Sequence, residues 1–272
     1  MINFVDVPVG ACFRENGIVF KKLSTCYKLQ SGKNSKRMSN PDVLVELLDP
    51  GIFVDGTGTV KTWINASGQV HRDDGPAIMK VSGYKEWYQH GRPHRDDGPA
   101  VECPDGSCEW YQKGKRHRLD GPAEIYGNGS AGWYQYGRLH RVDGPAIEGI
   151  DGHKEWRFRG ARHRVDGPAV MYADGSQEWW VNGRCHRVDG PAITYADGRQ
   201  EWWVKNMIHR DDGPAIICAD GTCEWYQHGR PHRDDGPAVL HPNARQEWWV
   251  KGTKITDPLT ILLINNSKEV ML

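Results

Sequence analysis

The residues with the strongest potential for chemistry are histidine, arginine and aspartate, which recur together in the heptapeptide His-Arg-x-Asp-Gly-Pro-Ala. In one copy these are His186, Arg187 and Asp189, followed by Gly190 and Pro191. A histidine near a carboxylate could transfer protons, and both side chains could bind a metal ion. Residue type alone therefore allows catalysis or metal binding.

The heptapeptide is repeated at a constant spacing of 23 residues, and this argues against catalysis. The eight copies begin at His71, His94, His117, His140, His163, His186, His209 and His232. An active site is one constellation, whereas a residue kept in every copy is most simply needed to fold each copy. We predict a structural role for the trio, with Arg187 paired to Asp189 or to the aspartate of a neighbouring copy. We predict no catalytic residue and no enzymatic activity.

The same motif does not favour a bound metal. The arginine beside each histidine would repel a cation, although histidine and aspartate are common ligands. We therefore predict neither a metal nor any other cofactor.

The elements that must position the trio are short β-hairpins. A tryptophan shares the period of 23, at Trp87, Trp110, Trp133, Trp156, Trp179, Trp202, Trp225 and Trp248, and a ninth, imperfect element starts at Trp63. Residues 179–181 are a β-prone run, and Asn182-Gly183 is a signal for a two-residue turn. At the position of Gly183 one unit carries Asn206. Because asparagine tolerates a left-handed backbone, we predict a positive φ there.

The second half of each unit predicts another strand and turn. Residues 192–195 form the strand, and Asp197-Gly198 closes it. Two strands and two turns fit in 23 residues. The fold class predicted is all-β: an elongated, twisted antiparallel sheet or solenoid of about eight to nine hairpin repeats. We predict three segments, a small N-terminal β domain (1–55), the repeat array (56–252) and a C-terminal cap (253–272).

Charge and composition limit the partners. Lys+Arg and Asp+Glu are equal at 35 each, so the basic excess typical of a nucleic-acid-binding surface is missing. No apolar stretch is long enough to span a bilayer, and the N-terminus lacks the pattern of a secretory signal. Seven cysteines without a framework spacing are typical of a reducing compartment. We expect a cytoplasmic protein with no membrane and no nucleic-acid partner.

Four of the cysteines form two similar pairs, Cys103/Cys108 and Cys218/Cys223. Each pair flanks a predicted two-residue turn, which places the two side chains opposite one another across a hairpin. The interpretation is a packed thiol pair, with a disulfide or a redox switch as alternatives.

The residue after each recurring tryptophan varies, which makes it a candidate for binding. The positions are Tyr88, Tyr111, Tyr134, Arg157, Trp180, Trp203, Tyr226 and Trp249. Aromatic residues often anchor protein partners and can also stack on bases, although packing along the sheet is the alternative. Arg157, Phe158 and Arg159 deviate most from the other units, so we predict a specific contact there.

The unit Glu-Trp-x-x-x-Gly-x-x-His-Arg-x-Asp-Gly-Pro-Ala-x-x-Tyr-x-Asp-Gly resembles the MORN repeat and its bacterial variants over roughly residues 60–252. That resemblance implies a hairpin scaffold that binds proteins or membranes and has no common activity. The chain departs from MORN at His-Arg-x-Asp-Gly-Pro-Ala, where MORN usually has His-Gly-x-Gly, so lipid binding is not carried over. Some bacterial relatives resemble immunity proteins that neutralise a toxin by binding it.

The first 50 or so residues are similar to a small β domain of tailed-phage proteins. The pattern is Phe-x-Asp-x-x-Val-Gly-x-x-Phe, from Phe4 to Phe13, followed by Asn16-Gly17 and the run Ile18–Lys22. Residues 27–29 and 43–47 could add two further strands. The similarity implies a phage-encoded protein that acts in the cytoplasm of an infected bacterium.

Three functions follow as hypotheses. The first is a non-enzymatic scaffold that captures or inhibits a host protein involved in defence or regulation. The second is sequestration of a small nucleotide-like signal molecule by Arg and Trp side chains. The third is a structural or assembly protein of the virion. A homo-oligomer is compatible with each of them.

Overall fold

The computed structural model describes residues 59–65 and 67–266, with side chains to residue 264. It also describes the backbone of four N-terminal strands: Cys12–Glu15, Ile18–Lys21, Val45–Leu47 and Ile52–Asp55. The chain divides into two units, Met1–Arg138 and Leu139–Leu272.

The sheet of the first unit is antiparallel throughout. Cys12–Glu15 pairs with Ile18–Lys21 and with Val45–Leu47, and Ile52–Asp55 pairs with Val45–Leu47 on one side and Val60–Trp63 on the other. The sheet therefore continues from the N-terminal strands into the first repeats. The further strands, in order of pairing, are Val60–Trp63, Ile78–Lys80, Lys85–Glu86, Val101–Glu102, Cys108–Glu109, Glu124–Ile125 and Ala131–Gly132.

The predicted N-terminal strands are only partly within the described residues. Glu15 pairs with Ile18, as the predicted turn at Asn16-Gly17 requires. The strand predicted at 43–47 is found as Val45–Leu47, while the one predicted at 27–29 lies outside the described residues.

The second unit repeats the same arrangement. Its sheet strands, each antiparallel to the next, are Ile147–Glu148, Lys154–Glu155, Val170–Met171, Gln177–Glu178, Ile193–Thr194, Gln200–Glu201, Ile216–Ile217, Cys223–Glu224, Val239–Leu240, Gln246–Val250 and Thr253–Ile255. The predicted all-β class, an antiparallel sheet of hairpin repeats, is confirmed.

Each repeat also carries a smaller hairpin outside the main sheet, so it holds four short strands where two were predicted. The paired strands are Tyr88–Gln89 with Arg92–Pro93, Tyr111–Gln112 with Lys115–Arg116, Arg157–Phe158 with Ala161–Arg162, Trp180–Val181 with Arg184–Cys185, Trp203–Val204 with Met207–Ile208, and Tyr226–Gln227 with Arg230–Pro231. Tyr134–Gln135 and Arg138–Leu139 are the equivalent strands of a further repeat. The recurring tryptophan joins the sheet strand to the smaller hairpin, because its N–H bonds in register with the sheet ladder and its C=O bonds in register with the smaller hairpin. Trp179 N donates to Ala192 O at 2.7 Å, and His186 N donates to Trp179 O at 3.0 Å. In the last repeat Trp248 lies within one continuous strand, Gln246–Val250.

The smaller hairpins close through the predicted two-residue turns, which we call the tips. Val181 pairs with Arg184, and φ is 51° at Asn182 and 72° at Gly183. Positive φ at both central residues identifies a type I′ turn. Asn206 has a φ of 66°, which confirms the positive value predicted from its substitution for glycine.

The turns within the main sheet are one residue longer than predicted. Cys103 N donates to Ser107 O at 2.8 Å, and Gly106 has a φ of 87°, so the loop is Pro104, Asp105 and Gly106. This is the three-residue hairpin loop that ends in a left-handed glycine.

The longer loop corrects the predicted facing of the cysteines. Cys108 lies opposite Glu102 and Cys103 lies opposite Ser107, which puts Cys103 and Cys108 on different faces of the sheet. Cys223 likewise pairs with Ile217 rather than with Cys218. All four thiols are free.

The core is small and repeats with the chain. The alanine of every heptapeptide is 0% exposed, at Ala77, Ala100, Ala123, Ala146, Ala169, Ala192, Ala215 and Ala238. Wherever the bond is described, the carbonyl of this alanine accepts the backbone N–H of a recurring tryptophan. Burial between neighbouring repeats explains how a chain with only 38% hydrophobic residues can fold.

A single helix, Pro258–Asn266, follows the last hairpin within the described residues. Asp257 caps it, since its carboxylate accepts the N–H of Thr260 at 2.9 Å. Leu259 and Leu263 are each 71% exposed. None of the described residues forms a helix that is long and apolar enough to cross a bilayer.

Candidate functional site

The arginine of the heptapeptide is fully engaged within its own repeat. In the example copy, Arg187 Nε donates to Asp189 Oδ1 at 2.9 Å and its Nη1 donates to Pro191 O at 3.3 Å. The guanidinium carbon also lies 4.2 Å above the ring of Trp179. The predicted ion pair is therefore formed with the aspartate of the same copy. It fixes the loop of residues 186–191, which we call the corner, and we use the same name for the equivalent loop of every repeat.

This arrangement is present throughout the array. The Nε–Oδ1 distance is 2.7 to 3.0 Å in all eight copies, at Arg72–Asp74, Arg95–Asp97, Arg118–Asp120, Arg141–Asp143, Arg164–Asp166, Arg187–Asp189, Arg210–Asp212 and Arg233–Asp235. The arginine lies 4.1 to 4.3 Å above a tryptophan ring at Arg72, Arg95, Arg118, Arg164, Arg187, Arg210 and Arg233. The arginine and aspartate of the corner therefore have a structural role.

The histidine joins each repeat to the next. His163 Nδ1 accepts the backbone N–H of Asn182 at 3.1 Å, and six other motif histidines accept an equivalent bond from the tip 19 residues later. The exception is His186, whose Nδ1 is buried without a hydrogen-bond partner. It faces the one tip that carries Asn206 in place of glycine.

The described residues do not assemble a metal site. Two His-x-x-x-His pairs are present, His90/His94 and His228/His232. The first histidine of each pair instead stacks on a heptapeptide histidine of the preceding repeat, with the ring centroids of His71 and His90 4.7 Å apart. Within the described part of the chain, no group of three or more His, Cys, Asp or Glu side chains could hold a metal ion.

The variable residue after the tryptophan lies beside a glutamate, which in every repeat but that of Tyr134 comes two residues earlier. Tyr111 Oη donates to Glu109 at 2.6 Å, and Trp203 Nε1 donates to Glu201 at 2.8 Å. Arg157, Trp180 and Trp249 donate in the same way to Glu155, Glu178 and Glu247. Tyr88, Tyr134 and Tyr226 lie near Glu86, Glu124 and Glu224, whose negative charges contribute, after burial, to raising the pKa of these tyrosines. What every copy keeps is a hydrogen-bond donor, so Arg157 can stand where Tyr and Trp stand elsewhere.

One repeat obtains its glutamate from the neighbouring strand. Gly132 occupies the usual glutamate position, and Glu124, which lies directly opposite, occupies a position that is Val or Ile in the other copies. Glu124 is 5% exposed and binds Arg116 at 2.9 Å. The buried carboxylate is therefore preserved although its place in the sequence has changed.

Burial and the neighbouring glutamates raise the pKa of two of the tyrosines further above neutral pH. Burial, and then the hydrogen bond to Glu109, raise the pKa of Tyr111 to about 12. The pKa of Tyr226 is raised to about 12 by burial and by the charge of Glu224. These phenols remain donors at neutral pH.

The deviant group Arg157, Phe158 and Arg159 is partly brought together. Arg157 bonds to Glu155 and to Gly160 O, and Phe158 lies 4.8 Å from the ring of His140. Arg159 lies 5.2 Å from the ring of Phe158 and donates its N–H to His140. Phe158 is 39% exposed and Arg159 is also exposed, so a partner could reach both of them.

The one position of the corner that is both variable and exposed is the x of His-Arg-x-Asp. It is Asp73, Asp96, Leu119, Val142, Val165, Val188, Asp211 and Asp234 along the chain. Val142, Val165 and Val188 are 81%, 84% and 88% exposed, high values for apolar side chains. Where x is aspartate, its carboxylate approaches the histidine of its own copy, as for His209 Nε2 and Asp211 at 3.2 Å.

Successive corners of the second unit are separated by clefts that this position lines. The first, about 710 Å³, lies between corners 164–168 and 186–189, with Val165, Val188, Val181 and Trp179 in its wall. The second, about 580 Å³, lies between corners 187–190 and 209–212 and includes Trp202 and Val204. We call them the valine cleft and the mixed cleft.

Sequence reasoning had not singled out the x position. The signal was available, because x differs between copies while the residues around it do not. The chain matches no protein-family model, and no curated protein shows significant similarity to it.

Proposed function

We propose that the chain is a non-enzymatic scaffold that binds a protein partner through the corners of its second unit. The observation that carries the proposal is the contrast within the corner. The side chains of Arg187 and Asp189 bond to each other within the repeat, whereas Val188 between them is 88% exposed. Val142 and Val165 are similarly exposed at the same position of the preceding corners, and Val165 and Val188 line one cleft, so the apolar side chains recur along the unit. Exposed apolar side chains grouped in this way are typical of a protein-binding surface.

The same contacts count against binding of a nucleotide by arginine and tryptophan. A phosphate would have to compete with Asp189 and Pro191 O for the guanidinium of Arg187. A base would have to displace that guanidinium from the ring of Trp179.

The resemblance of the N-terminal segment to a tailed-phage β domain and of the repeats to bacterial MORN variants supports a narrower proposal. In it the protein is phage-encoded and captures or inhibits a host protein of defence or regulation in the bacterial cytoplasm. A homo-oligomer would multiply the number of corners presented to that partner.

Capture from bacterial lysate, followed by mass spectrometry, tests the proposal. Wild-type protein is compared with a Val165→Asp/Val188→Asp variant, whose fold should be intact because aspartate occupies this position in four copies. We expect one protein to be enriched by the wild type and lost from the variant. Recovery of the same proteins by both would contradict the proposal, as would recovery of none.

A further inference from the structure

We infer that the valine and mixed clefts bind a polyproline II segment of the partner, with an apolar residue at every third position followed by a basic residue. The inference rests on the proposed function and adds the chemistry of the ligand. It is carried by three features of the second unit: the repeat distance, the wall of the clefts and the distribution of charge.

The repeat distance selects the conformation of the ligand. Each repeat adds two strands to the sheet, so equivalent points on neighbouring corners are about 9.6 Å apart. A polyproline II helix advances about 9.3 Å per turn of three residues and presents every third side chain on one face. A β-strand alternates faces, so its same-face side chains recur at about 6.7 or 13 Å and miss this period.

The walls of the clefts suit such a ligand. The valine cleft is lined by Val165, Val181, Val188, Trp179 and Pro168. Proline-rich segments dock in grooves with an aromatic lining. Here Trp179 offers only the part of its ring that Arg187 does not cover, and the valine side chains supply the rest of the apolar wall. A polyproline II segment also loses little conformational entropy on binding, because it is largely preformed.

Charge gives the ligand a direction. In the valine cleft Asp166 and Asp189 are each paired with the arginine of their own corner, so their charges are compensated. In the mixed cleft Arg210 compensates Asp212, and Asp211 is an additional carboxylate that is 82% exposed. Asp234 continues this excess in the next corner, with 82% exposure. A lysine or arginine of the ligand belongs at this end.

A fluorescent peptide tests the inference directly. The probe has 12 residues. Every third position carries an apolar or basic side chain, with leucine at the first two of these positions and arginine at the last two, and the positions between them are proline. One control has the same composition with leucine at every second position, and another replaces arginine by glutamate. Anisotropy is measured with the full-length protein.

We expect the period-three peptide to bind at least tenfold more tightly than either control peptide. Val165→Asp/Val188→Asp should weaken it at least tenfold, and Asp211→Val should remove the preference for arginine over glutamate. Val81→Asp, at a side chain that is 78% exposed outside these corners, serves as the control for one added surface aspartate and should bind like the wild type. It is compared with the single variant Val188→Asp, which adds the same charge and should bind more weakly.

Equal binding of the period-two peptide, or unchanged binding by the double variant, would overturn the inference. Failure of the peptide together with loss of lysate capture in the same double variant would leave the protein-binding function standing and reject only the polyproline ligand. Circular dichroism of each variant confirms that the fold is retained.

Discussion

The backbone N–H of Asn182 donates to Nδ1 of His163 at 3.1 Å and so joins two successive repeats. One repeat later the link is missing. His186 Nδ1 has no partner, and Asn206, which replaces glycine in the facing tip, accepts the N–H of Cys185 at 2.6 Å instead. The chain thus contains an internal comparison for the value of this bond.

His163→Ala should destabilise the protein more than His186→Ala, by about 1 kcal/mol, the net value of a typical hydrogen bond. Both substitutions remove the same ring, so the loss of packing largely cancels between them. The measurement is urea unfolding followed by tryptophan fluorescence. Equal shifts of the two midpoints would show that the bond between repeats contributes nothing.

Tyr111→Phe should reduce the free energy of unfolding by about 1–2 kcal/mol. It removes the hydroxyl that bonds to Glu109 at 2.6 Å while the ring is retained, and bonds to charged groups are the stronger ones. Tyr136→Phe is the control, because that phenol belongs to a tip and its side chain is 70% exposed. If Tyr111→Phe leaves the free energy of unfolding unchanged, the residues after the tryptophans are free to serve as a binding surface.

The architecture was open to prediction because the repeat is regular. The period of 23, the Asn-Gly tips and the positive φ of Asn206 all follow from turn chemistry that acts locally. The link between His163 and Asn182 could not be anticipated, since it depends on which residues of adjacent repeats come together.

The cysteine pairs show where the prediction from sequence was wrong. One additional loop residue, Pro104, changes the register, and a change of one residue moves a side chain to the other face of a sheet. The aromatic candidates varied in type but not in the ability to donate a hydrogen bond to Glu. The x position also varies, and there the side chains of Val165 and Val188 are exposed to solvent.

Lys113→Asn should stabilise the protein by about 0.5–1 kcal/mol. Lys113 has a φ of 50° in its tip, where most residues are strained and asparagine is tolerated. The reverse change, Asn182→Lys at a φ of 51°, should destabilise it by a similar amount. Thermal unfolding of both variants checks the prediction, and shifts of the same sign would refute it.

Acid should reduce the stability of the repeats in part through the aspartates of the corners. The hydrogen bond from Arg187 holds the pKa of Asp189 below its ordinary value of 3.8, and six other corner aspartates are lowered in the same way. A lowered folded-state pKa adds stability that is present above about pH 4 and is lost as the pH falls through the folded-state values.

The free energy of unfolding should therefore be insensitive to these groups between pH 5 and 7 and decline below about pH 4. Asp189→Asn should flatten that decline relative to wild type, because one titrating group is removed. Urea unfolding at a series of pH values measures it. An unchanged slope would mean that Asp189 has the same pKa folded and unfolded.

The central claim is that adjacent residues of the corner have different roles: Arg187 stabilises the fold, and Val188 contacts the partner. The direct measurement is the unfolding midpoint of Arg187→Lys beside that of Val188→Asp. Arg187→Lys should lower the free energy of unfolding by about 1–2 kcal/mol, since lysine cannot both stack on Trp179 and bond to Pro191 O. Val188→Asp should leave the midpoint unchanged. A stable Arg187→Lys protein, or one unfolded by Val188→Asp, would contradict the account.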